Sequence, residues 1–259
     1  MLTLALDTTT KAGSVAVMAG DRLLAVIHGE AGRTHGERLP DEIERAVAAA
    51  GVTPRDLQLL AVATGPGAFT GLRIGLAAMQ GLAMVIDCPV VGVSALDALA
   101  TAALGVADPS VLAVAPWMDA QRGEVFAAFY RRDEQTDGIL HATADPVVGR
   151  PEIVLATLPP DLAARTVFVG DGALRYQSSI AGFTQGLVRV EAAPAALAPF
   201  IARLGQSLAA RGQAGPPHAL QPLYVRRSDA ELERARKSST PSLPSTPSRV
   251  DQSPSREKL

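Results

Sequence analysis

Between Thr64 and Gly75 the chain reads T-G-P-G-A-F-T-G-L-R-I-G. An apolar run of strand length, Leu57 to Ala63, precedes it, and a run of helical length, Leu72 to Ile86, follows. Pro66 has no backbone N–H, and Gly65 and Gly67 accept φ > 0, so the join is neither helix nor central strand. Thr70 stands where an N-cap belongs, its hydroxyl in reach of the first free backbone donors. The stretch predicts strand, tight loop, helix.

That helix carries Gly71, Gly75 and Gly81, although an interior glycine costs about 1 kcal/mol relative to alanine. Glycines four apart, with Ala78 next on that side, leave a groove that a second backbone can approach. The spacing supports two readings: close packing inside the fold, or a face that docks onto a second protein. A membrane helix pair uses the same spacing, but Arg73 and Gln80 interrupt the run before about 18 apolar residues accumulate. The loop is no P-loop, because Gly71 is followed by Leu72 rather than Lys. Nor is it the dinucleotide fingerprint, since three residues separate Gly67 from Gly71. The positive helix end, with Arg73 nearby, is a minor candidate for an anion.

With 259 residues, 47% hydrophobic and 19% charged, the chain has the make-up of a soluble globular protein of one or two domains. A net charge of −2 argues against binding nucleic acid by itself. The single cysteine, Cys88, rules out a disulfide framework and suits a reducing cytosol; its place before Pro89 points to packing rather than nucleophilic work. Met1 to Asp7 lacks the basic region of a leader and turns polar at once. The four histidines, His28, His35, His141 and His218, show no metal-ligand spacing.

In order, Leu2 to Leu6, Val15 to Met18 and Arg22 to Ile27 read as strands, the last two joined by the Gly20-Asp21 turn. His35 to Ala50 is helical, with Leu39, Ile43, Ala46, Val47 and Ala50 on one face and Gly51 as its stop. A strand over Pro89 to Val93 and a helix over Ser94 to Leu104 follow the central unit. The order β-β-β-α-β-α-β-α is that of a ribonuclease-H-like half. It begins again at Val111 to Met118, which closes on Asp119 as Leu2 to Leu6 closes on Asp7. Gly123 then leads into Val125 to Tyr130, with further elements at Ile139 to Ala142, Pro151 to Leu158 and Pro194 to Ala210. The expected fold is α/β, two-lobed and actin-like, with lobes at 1–107 and 108–227. Residues 228–259 repeat Ser, Thr and Pro and are expected to be a disordered tail.

Nucleotide-using members of that fold end their first strand in D-x-G-[TS], where the glycine admits phosphate. Here the residues are Asp7-Thr8-Thr9-Thr10, and a side chain at Thr9 crowds that approach. Asp7, Thr8, Thr9 and Asp119 are retained as a weak nucleotide-binding set, the competing reading of Asp7 being a turn-initiating residue.

The motif G-P-G-A-F-T-G-L-R-I-G resembles the hallmark of the TsaB (YeaZ) family, bacterial proteins required for threonylcarbamoyl modification of adenosine 37 in tRNA. Supporting stretches are L-A-L-D-T-T-T at Leu4–Thr10, G-V-S-A-L-D at Gly92–Asp97, M-D-A-Q-R-G-E-V-F at Met118–Phe126 and P-L-Y-V-R at Pro222–Arg226. The likeness runs from Leu2 to about Arg227 and leaves the tail uncovered. It implies a cytoplasmic, non-catalytic subunit that binds and activates TsaD, the threonylcarbamoyltransferase, with the ATPase TsaE in the larger complex. It also implies that tRNA is met only through that complex, with no membrane, and leaves a homodimer open for the free chain. TsaD holds its metal through an H-x-x-x-H pair; no histidine lies between His35 and His141, so neither metal nor cofactor is expected. The docking face expected from likeness and spacing is Leu39, Ile43, Gly71, Leu72, Arg73, Gly75, Leu76 and Met79. The alternative is a stand-alone actin-like phosphotransferase or nucleotide hydrolase working at Asp7 and Asp119.

Overall fold

Two central strands set the architecture through the sizes of their side chains. In β1 (Leu2–Asp7) and β4 (Leu59–Gly65), Leu4, Leu6, Leu60 and Val62 point to one face, and Ala5, Ala61 and Ala63, with Leu59 at the start of β4, to the other. Strand alternation thus makes one bulky face and one shallow face, and each recruits different helices. The computed structural model describes residues 1–104, 111–133, 140–158, 165–186 and 188–226.

β1 pairs antiparallel with β2 (Ser14–Ala19), which pairs with β3 (Arg22–His28); β4 joins β1 in parallel and is followed by β5 (Val90–Ser94). The sheet order is β3-β2-β1-β4-β5. On its bulky face lie α1 (His35–Ala49) and α2 (Phe69–Ile86). The Glu37 carboxylate fixes the start of α1 by accepting the backbone N–H and hydroxyl of Thr34, both at 2.8 Å. α2 has the length and composition of a bilayer span, yet Gly71, Leu72, Gly75, Leu76, Met79 and Ala83 are buried.

The second half repeats the plan. Strands β6 (Ala113–Asp119), β7 (Val125–Ala127), β8 (Tyr130–Arg132), β9 (Leu140–Ala142) and β10 (Val147–Gly149) precede α4 (Pro151–Leu155), α3 (Ala95–Leu104) having closed the first half. β11 (Thr166–Val169), α5 (Asp171–Arg175), α6 (Gln177–Phe183), β12 (Arg189–Glu191) and α7 (Ala198–Ala210) complete it. The order β10-β7-β6-β11-β12 matches that of the first sheet, with antiparallel pairs on one side of the central strand and parallel pairs on the other.

α7 crosses back onto the shallow face of the first sheet, where a Cβ on Gly205 would fall 2.7 Å from that of Ala61. Together with α3 it lies in a core that includes Ala5, Ala61 and Val93 from one sheet and Val114, Met118 and Phe126 from the other. Polar contacts stitch the same region. Ser14 Oγ accepts the N–H groups of Leu197 and Ala198 at 3.1 and 3.0 Å, and Gln206 donates to Thr3 Oγ1 at 3.0 Å. The Tyr130 hydroxyl donates to Asp97; burial, then the Asp97 charge, hold that phenol above its usual range. Met1–Val225 forms one compact unit.

Several expectations are corrected. Thr70 is not the N-cap of α2: the flanking residue is Ala68, whose N–H goes to Thr9 O at 2.9 Å while its carbonyl takes the N–H of Leu72. The strand expected over Val125 to Tyr130 breaks at Ala128–Phe129 into β7 and β8, which pair with opposite ends of β6 and go on to different outer neighbours, β10 and β9. α7 starts at Ala198 rather than Pro194, because Ser14 takes its first donors and His28 binds the Ala195 carbonyl. The expected boundary at 107/108, Ile139 and the 228–259 tail lie outside the described residues.

Candidate functional site

At the end of β1, Asp7 is 4% exposed, and its Oδ1 accepts the Thr9 N–H at 2.9 Å and the Thr9 hydroxyl at 2.6 Å. Burial pushes this carboxyl above its ordinary range; the Thr9 hydrogen bonds and His35 pull the other way. Thr9 is itself held by the Pro66 loop: a Cβ on Gly67 would lie 2.6 Å from Thr9 Cβ. Asp7, Thr8 and Thr9 therefore form one cluster, packed against protein.

The next three carbonyls turn toward α1. His35 Nε2 stands 2.8 Å from Thr10 O, and Arg38 donates to the carbonyls of Lys11, at 2.9 Å, and Ala12. The buried Arg38 also pairs with Glu42 at 2.5 Å and meets His35 Nδ1 at 3.0 Å. Nε2 is thus placed to donate to the Thr10 carbonyl, and Nδ1 to accept from the Arg38 guanidinium. Reading the sequence missed this set. Its available signal was H-x-x-R-x-x-x-E over His35–Glu42, which places three polar side chains on one flank of a helix.

α2 meets the same loop from the other side. A Cβ on Gly71 would run into the Thr8 carbonyl and lie 3.2 Å from His35 Cδ2. One on Gly75 would overlap the Thr8 hydroxyl and lie 3.1 Å from Thr8 Cγ2. The docking face expected at Gly71, Leu72, Gly75, Leu76 and Met79 is thus corrected: these glycines seat α2 on Thr8, in the loop that follows β1, and Leu72, Leu76, Met79 and Leu39 are core. Of that set only Arg73 is exposed, while Ile43 is half-buried.

The open surface lies one stripe around the helix. Ile74, Ala78, Gly81 and Leu82 of α2 face Gly36, Pro40 and Ile43 of α1 across an apolar groove of about 360 Å³, with Leu39 at its floor. A Cβ on Gly81 would meet nothing within 4 Å. One turn on, Met84 and Val85 stand 76% and 83% exposed.

Asp119, the counterpart of Asp7 in the second half, is occupied otherwise. Its carboxylate accepts the N–H and side-chain amide of Gln121, both at 3.0 Å, and Arg175 Nη1 at 2.9 Å. It thereby holds a turn in which Gln121, Arg122 and Gly123 have φ of 60, 57 and 78°. Its contacts are separate from those of Asp7. Among the described residues no cluster of His, Cys, Asp and Glu could hold a metal. Burial, then the neighbouring Asp87, push the Cys88 thiol up to about 11, away from thiolate chemistry.

Two sheets of matching order, each with its first turn closed by the protein's own side chains, define an actin-like α/β protein. A family model described as "TsaD: tRNA N6-adenosine threonylcarbamoyltransferase" matches residues 26–179. The chain is 37% identical to the tRNA threonylcarbamoyladenosine biosynthesis protein TsaB of Escherichia coli over 66% of this chain and 72% of that one. It is 27% identical to the Bacillus subtilis protein of the same name over 90% and 97% of the two chains. YeaZ from Pseudomonas aeruginosa superposes with a TM-score of 0.69 at 30% identity, covering 86% of this chain and 99% of that one. The chain belongs to the TsaB (YeaZ) family.

Proposed function

We propose that this chain is the non-catalytic subunit of the machinery that forms threonylcarbamoyladenosine at position 37 of tRNA, and that it binds and activates the catalytic subunit TsaD. The apolar groove between α1 and α2, continued by Met84 and Val85, is the observation that carries the reading. Exposed apolar area of this kind on paired helices is docking surface. In this reading TsaE joins the larger complex, and tRNA is delivered to the catalytic subunit. A phosphotransferase is less well supported, because Thr9 fills the phosphate approach, Asp7 is buried and Asp119 is committed to Arg175 and Gln121.

Filling the groove tests the proposal. Gly81→Leu should fold normally, since its new side chain enters open space, yet bind TsaD about thirtyfold or more weaker. A folded variant that binds TsaD normally refutes the docking face. Tight Mg²⁺-dependent ATP binding with turnover by the purified wild-type chain would favour the phosphotransferase.

A further inference from the structure

Pro217–Val225 crosses the first half as a strap. Leu220 is buried, Gln80 Nε2 donates to the carbonyls of Pro217 and Leu220 at 3.0 and 3.3 Å, and the Leu223 N–H donates to Thr64 O at 2.8 Å. The strap sets Tyr224 against the first turn of α2. Its ring stacks on Phe69 with centroids 5.3 Å apart and planes at 28°, and Arg73 Nε donates to its hydroxyl at 3.1 Å. The Arg73 guanidinium sits 4.1 Å from the centroid of the Phe69 ring. Even so, Phe69 and Tyr224 remain 42% and 43% exposed.

We infer that Phe69, Arg73 and Tyr224 form a stacking site for an unpaired nucleotide of the tRNA, an inference that rests on the proposed tRNA role. The chemistry of the cluster favours a nucleotide. Two exposed rings offer π-faces of the kind on which bases stack without regard to sequence. Neither Gly65–Ile86 nor Ala219–Val225 contains Asp or Glu, and among the described residues no carboxylate pairs with Arg73. A guanidinium held beside exposed rings, with no carboxylate partner among the described residues, suits a base on the ring and a phosphate on the cation. The three side chains hold one another in place, so little conformational freedom is left to lose on binding. A net charge of −2 supplies no long-range pull on RNA, which makes this a local contact within the assembled complex.

The test titrates a fluorescein-labelled, unmodified tRNA transcript with the full chain, alone and with TsaD, by anisotropy over a range of salt. Tyr224→Ala should weaken tRNA binding about tenfold, and Tyr224→Phe should keep most of it. Arg73→Ala should lower the slope of log K against log salt by about 0.7, the value for one phosphate of a single strand. Pull-down of TsaD by the two Tyr224 variants is read in parallel and should not change. Variants that bind tRNA like wild type with the same slope overturn the inference, as does a wild-type chain that contributes no tRNA affinity in either setting. Variants that lose TsaD while keeping tRNA affinity overturn it too, and assign the cluster to a protein contact. A wild-type chain that ignores TsaD but binds tRNA through Tyr224 sinks the subunit reading and supports the stacking site.

Discussion

Gly75→Ala and Gly81→Ala make the same chemical change six residues apart on one helix, and the structure demands opposite outcomes. In an open helical position the change gains about 1 kcal/mol from helix propensity. Gly81 is such a position, with nothing within 4 Å of the new methyl. At Gly75 the methyl would overlap the Thr8 hydroxyl, with Thr8 Cγ2 and Cβ only 3.1 and 3.2 Å away. Thr8 is fully buried, short and β-branched, so it has no flexible end to swing aside. Overpacking of this kind costs about 1–3 kcal/mol, which outweighs or cancels the propensity gain. The two variants should therefore differ by roughly 1–3 kcal/mol, Gly81→Ala being the more stable. For a chain of this size that is about 3–10 °C in melting temperature. Thermal unfolding followed by circular dichroism on both variants and wild type decides it. Two variants that both melt above wild type, with equal midpoints, would refute the claim that Gly75 is fixed by packing on Thr8.

Ser14→Ala should strip α7 of the cap it borrows from the first sheet, leaving the Leu197 and Ala198 N–H groups unmatched in the core. Losing a cap and orphaning buried donors together cost about 2–3 kcal/mol; a urea midpoint equal to wild type would show the helix start to be satisfied by other means. Asp7 gives a pH-dependent case. Its folded pKa is raised above 3.8, so the stability it contributes is present below that value and lost as pH rises through the folded pKa. Asp7→Asn keeps an acceptor for Thr9 without the charge. The variant should therefore gain on wild type at neutral pH, with the difference vanishing near pH 4. Denaturant unfolding of both at the two pH values checks this, and an advantage confined to acid would contradict it.

How much was legible from sequence depended on how local the signal was. The first half could be read almost element by element, because its strands run five to seven residues and turns or loops separate them from long helices. In the second half β7 to β10 and β12 have three residues each and β11 has four, too few for alternation to register. The glycines of α2 were visible and their close packing was one of two open readings; spacing alone cannot say which flank meets Thr8. Ile43 and Leu39 do line the groove, but its α2 wall lies about one residue around from where it was expected. The Arg38 network and the Asp119–Arg175 pair join residues up to 56 apart, beyond the reach of any window along the chain.

The borrowed cap and the shared core also bear on how the chain emerges during synthesis. The shallow face of β1, β2 and β4 is covered by α7, whose first residue follows Ser14 by 184 positions. Until the ribosome has delivered that helix, a finished first sheet would carry a bare apolar face. Such long-range closure slows folding and exposes intermediates to aggregation. A protein stopped after α3 should accordingly be poorly soluble, and the last α-helix among the described residues, far from being an appendage, decides when the first sheet becomes native.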